Sequence, residues 1–140
     1  MVDLVWYEFY EMGVESIDRE HMEILAIMRE VQLAIMDNDM RRCANQLDAL
    51  MVTASRHFEN EEAYLAEVQY PKLKEHALYH QEMLKKAQGV KSMCESIEAP
   101  HDVKACFDAM ASFLIDDILH GDIEFKSYLE YEGYIAKKLR

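Results

Sequence analysis

The chain has 140 residues, is 51% hydrophobic, and carries 27 acidic against 15 basic side chains, a formal net charge of −12. That length suits a single domain with its own hydrophobic core, and the apolar content excludes a disordered chain. The acidic balance argues against nucleic-acid partners and against an anionic membrane surface.

No apolar run approaches the length of a membrane span, and the start, Met1-Val2-Asp3-Leu4, lacks a basic and apolar leader pattern. Cys43, Cys94 and Cys106 are odd in number and far apart, and make neither a zinc pattern nor a disulfide frame. A reducing cytoplasm is the expectation. Each cysteine falls on an apolar helix face and reads as a buried small residue.

In chain order, residues 1–17 read as an N-terminal arm holding Trp6, Tyr7, Phe9 and Tyr10, and residues 18–140 as a helical bundle. Ser16 or Asp18 is expected to cap the first helix. That helix repeats Ile17, His21, Ile24, Leu25, Met28, Val31 and Ile35 at three-and-four spacing and ends near Asp37-Asn38-Asp39. A second helix is expected from about Met40 to Glu67, with Cys43, Leu47, Leu50, Ala54, His57, Glu61, Tyr64 and Leu65 inward. Tyr70-Pro71 separates it from a third, because Pro suits a first helical turn and bars α conformation from the residue before it. The third stripe is Leu73, His76, His80, Met83, Leu84, Ala87 and Val90. Beyond a break at Ser96 to Pro100, a fourth carries Val103, Cys106, Met110, Phe113, Leu114, Asp117, Ile118 and Phe125. With four Gly and two Pro in all, the prediction is an all-α, up-down-up-down four-helix bundle. Ten Met residues help to fill its core.

Metal-ligand residue types fall inside these stripes. His57 and Glu61 are four apart, as are His76 and His80, so each pair shares one helix face. A lone His on an apolar face is usually a hydrogen-bonded core residue. Two in-phase pairs, joined by His21 on the first helix and Asp117 and Asp122 on the fourth, point to metal chelation instead. Buried carboxylates are costly unless paired or metal-bound. Seven mixed nitrogen and oxygen donors exceed one zinc and suit two iron ions, with manganese or zinc as alternatives.

The chain resembles the hemerythrin family, and within it the bacterial hemerythrins. Trp6, Gly13-Val14, Ile17-Asp18 and His21 match its N-terminal signature; His57-Phe58-x-x-Glu61-Glu62 and Tyr70-Pro71 followed by His76-x-x-x-His80 match its centre. The resemblance implies two irons bridged by an oxo or hydroxo group and by the carboxylates of Glu61 and Asp122. His21 and His57 would hold the iron that stays open to dioxygen, and His76 and His80 the other. The chain departs from the family at Asp117, which stands where the family has a fourth-helix His. His120 and Glu124 offer a second register, but His120 points about 60° away from Asp117 on a helix, and Asp117 is preferred.

The function expected from the resemblance is dioxygen binding by a non-haem di-iron protein, as carrier, store or scavenger. An added anionic donor at Asp117 would favour ferric over ferrous iron. That supports an alternative, an enzyme reducing peroxide, dioxygen or nitric oxide. An oxygen or redox sensor module is a third reading, and a bundle with degenerate metal sites a fourth.

Overall fold

The computed structural model describes residues 11–96, 100–116 and 122–135. These form α1 (Glu15–Met36), α2 (Met40–Glu67), α3 (Leu73–Ser96), α4 (Pro100–Asp116) and α5 (Asp122–Tyr131), with no strand among the described residues. α1 packs on α2, α2 on α3, α3 on α4, and α4 returns to α1. Short connections between such neighbours give the expected antiparallel bundle. The single fourth helix of the sequence reading is described as α4 and α5, and residues 117–121 lie outside the described residues.

The helix ends have local causes. α1 starts at Glu15, three residues before the expected bundle boundary, with Val14 as an N-cap that makes no side-chain bond. Neither Ser16 nor Asp18 caps it. Asp18 instead reaches back, its Oδ1 accepting the Met12 N–H at 2.7 Å and its Oδ2 the Gly13 N–H at 3.2 Å. Burial pushes its carboxyl above the ordinary value in spite of those bonds.

α1 and α2 both stop in a left-handed turn. Asn38 has φ 57°, and the N–H groups of Asn38 and Asp39 donate to Ile35 O and Ala34 O. Gln69 has φ 59°, and those of Gln69 and Tyr70 donate to Ala66 O and Leu65 O. This is the Schellman pattern, which satisfies carbonyls the helix leaves open. Tyr70 and Leu65 belong to one apolar cluster, as suits a motif often accompanied by a hydrophobic contact. Pro71 then bars further helix, and α3 begins at Leu73, two residues later than a Pro in the first turn would give.

Two apolar clusters divide the bundle. The larger gathers Met28, Val31, Cys43, Leu47, Leu50, Phe58, Met83, Val103 and Phe107 from α1 to α4. Cys43 is fully buried there, as expected of a small core residue; the side chains of Cys94 and Cys106 lie outside the described set. The smaller cluster joins Met12, Ile17, Leu65, Val68 and Tyr70 to Phe125 and Leu129 of α5. Gly13 suits its place because its backbone is left-handed (φ 84°); a Cβ there would also stand 3.3 Å from Ile135 Cδ1, so that methyl would have to give way. No described helix is long and apolar enough to cross a membrane.

Candidate metal centre

Polar side chains interrupt the apolar stripes of α1, α2 and α3. His21 (3% exposed), His57 (1%), Glu61 (0%), His76 (6%) and His80 (2%) are all buried. Their spacing delivers them: His57 and Glu61 lie one turn apart on α2, His76 and His80 one turn apart on α3, and His21 faces them from α1.

The four imidazoles converge on one carboxylate. Glu61 Oε2 lies 3.0 Å from His57 Nε2 and 3.4 Å from His21 Nε2. Glu61 Oε1 lies 2.5 Å from His76 Nε2 and 3.2 Å from His80 Nε2. Glu61 thus divides the donors into two groups, His21–His57–Glu61 and Glu61–His76–His80, each with ligand atoms close enough to hold one ion. The rings within each histidine pair meet edge to face, at centroid distances of 4.6 Å and 4.5 Å. The Phe58 ring lies flat on His80 at 3.9 Å and 8°.

Two further carboxylates fix the rings from behind. His57 Nδ1 lies 2.8 Å from Glu20 Oε1, and the other oxygen of Glu20 accepts the Asn60 amide at 2.8 Å. His80 Nδ1 lies 2.9 Å from Glu62 Oε2. An imidazole that donates its Nδ1–H in this way leaves a bare lone pair on Nε2. Each such Nε2 then faces an oxygen of Glu61, acceptor against acceptor, an arrangement that repels unless a proton or a metal cation lies between. Consistently, Glu61 Oε2 and His80 Nε2 are buried with no hydrogen-bond partner among the described residues. Orphaned acceptors of this kind, on nitrogen and oxygen donors, fit a bound metal.

The electrostatics carry the same message. Burial alone would push the Glu61 carboxyl up, but the four imidazoles outweigh it and hold the group well below the ordinary carboxylate range. Burial pulls the His80 ring down, and Glu61 outweighs that and raises it. A buried anion set among four nitrogen donors is a place suited to cations.

Of the seven ligands expected from the sequence, the structure brings together His21, His57, Glu61, His76 and His80. Asp122 is the first residue of α5, and its side chain lies outside the described set, as do Asp117 and His120 entirely. Glu124 is 52% exposed and pairs with Lys72, so it is not in the buried group. Glu20 and Glu62 were not singled out as functional by sequence reasoning. Each sits one residue from a ligand, about 100° around its helix, and so reads as surface. Glu62 does stand inside the matched motif, the one signal that marks it.

A sequence model described as the hemerythrin HHE cation-binding domain matches residues 12–121. A bacteriohemerythrin of Clostridium acetobutylicum is 25% identical over 126 residues, covering 86% of this chain and 97% of the relative. With the paired histidines gathered on a shared buried carboxylate, this chain belongs to the hemerythrin HHE cation-binding family.

Proposed function

We propose that the chain is a non-haem di-iron protein that binds dioxygen, as a carrier, store or scavenger. His21 and His57 would hold one iron and His76 and His80 the other, with Glu61 and Asp122 bridging and Asp117 as a further donor. When bound, an iron pair would supply reversible redox chemistry toward dioxygen, one electron from each iron. The protein's own part is to hold Nε2 lone pairs on either side of one shared carboxylate. Glu20 and Glu62 do this for His57 and His80 by fixing the tautomer and raising ring basicity. Phe58, the larger apolar cluster and burial of Glu61 keep bulk water from the histidines. The odd, unspaced cysteines fit a reducing cytoplasm.

The observation that carries this reading is the two-and-two division of four imidazoles over the oxygens of one fully buried carboxylate. The peroxide-, dioxygen- or nitric-oxide-reducing alternative rests on Asp117, and no feature among the described residues favours it. The test is the visible spectrum of chain loaded anaerobically with ferrous iron. An absorption band that appears on admitting dioxygen and fades under argon supports binding; irreversible oxidation to the ferric form with no such reversible band contradicts it.

A further inference from the structure

Between α2 and α3, beside the metal centre, the packing leaves a small apolar cavity. Leu50, Ala54 and Phe58 stand four residues apart on α2 and so share one face. Met83 and Ala87, likewise four apart, meet them from α3. All five are buried. Each alanine offers only a methyl where a longer side chain would close the gap. The space left is about 20 Å³, taken as the room open to the centre of a water-sized sphere. Met51 and Leu84 complete the wall and are partly exposed.

That space exceeds the roughly 10–15 Å³ that one water needs, but a water also needs about two to four polar partners. The wall offers only the thioether sulfurs of Met51 and Met83, which accept weakly. Water therefore gains little by entering, whereas an apolar gas molecule exchanges water for apolar contacts. Phe58 ties the cavity to the site. It forms part of the wall, and its ring lies flat on the His80 ring at 3.9 Å. One side chain thus borders both the cavity and the metal centre.

We propose that this cavity is a dry site for one small apolar gas molecule, and that dioxygen lodges there before passing Phe58 to the metal centre. The second half rests on the dioxygen reading above; the first does not. Entry lies between Met51 and Leu84, where the unbranched Met51 chain yields without disturbing the helices. The passage is non-covalent. It sets how fast dioxygen arrives and leaves, and not how tightly the metal centre holds it.

The test uses xenon as the probe on the full metal-free chain. Xenon-129 resonance should show saturable binding at one site, with proton shifts centred on Ala54 and Ala87. Ala87→Leu, which fills the space, should abolish that binding. In the ferrous-loaded chain the same variant should slow dioxygen association and release alike, by several-fold in stopped flow, with iron content and equilibrium affinity unchanged. Leu84→Ala widens the mouth and should keep xenon binding while speeding both rates. Val52→Leu is the control, since Val52 is 67% exposed on α2 and outside the wall. A wild-type chain without saturable xenon binding would overturn the proposal. So would dioxygen rates equal to wild type in both variants, or a loss of affinity in Ala87→Leu with no change in association rate. Failure of the dioxygen reading shows itself differently: xenon still enters wild type and is still expelled from Ala87→Leu, but the iron-loaded wild type gives no reversible dioxygen band.

Discussion

At the scale of single residues, the centre depends on carboxylates that do different jobs. Glu61 offers an oxygen to each histidine pair, so Glu61→Gln removes the only charge the described site presents to both ions. The variant is expected to lose the second equivalent of iron while keeping its helix content by circular dichroism. Glu20 and Glu62 touch Nδ1 atoms and lie on the far side of the rings from Glu61. Glu20→Gln and Glu62→Gln should each weaken metal binding by about 10–100-fold, read by competition with a chromogenic chelator. The sign of the pH dependence follows from His80. Its raised folded value means that the metal-free chain gains stability below about pH 6.5, and loses it as pH rises through that folded value. Metal requires the neutral ring, so loading reverses the order. The rise in Tm on loading should therefore be larger at about pH 8 than at about pH 6, by calorimetry of both forms.

At the scale of elements, the bounds of α2 were legible because both ends carry a local reason. Asp39 accepts the Arg42 N–H at 3.1 Å as N-cap, and the Val68–Pro71 turn closes the other end. Asp39→Ala should cost about 1 kcal/mol by urea denaturation. The start of α1 was misplaced because Asp18 looks like a cap but spends its oxygens on Met12 and Gly13, upstream of the helix. That choice depends on where the arm packs, which local pattern does not encode. The turn after α2 invites a gain. Gln69 holds φ 59° with a Cβ that disfavours it, so Gln69→Gly should stabilise the chain by about 0.5–1 kcal/mol. Asn38→Gly should give less, because Asn tolerates this conformation. Metal affinity should not change in either.

For the molecule as a whole, function is set where apolar packing stops. One cluster closes the bundle on the Leu47–Phe107 side, the other on the Phe125–Leu129 side, and the ionisable residues gather as a separate buried group. His21, His57, Glu61, His76 and His80 were legible in the sequence because helical spacing alone sets each on an inward stripe. Glu20 and Glu62 were not, because their partners sit on neighbouring helices and only the packed bundle brings them together. A cluster that buries an anion among acceptors should relax when cations enter. The most direct measurement is therefore metal stoichiometry and melting temperature after anaerobic loading with ferrous iron. Two ions per chain, one for each histidine pair, with a clear rise in Tm is the predicted result. A chain that stays metal-free and melts at the same temperature would contradict the account.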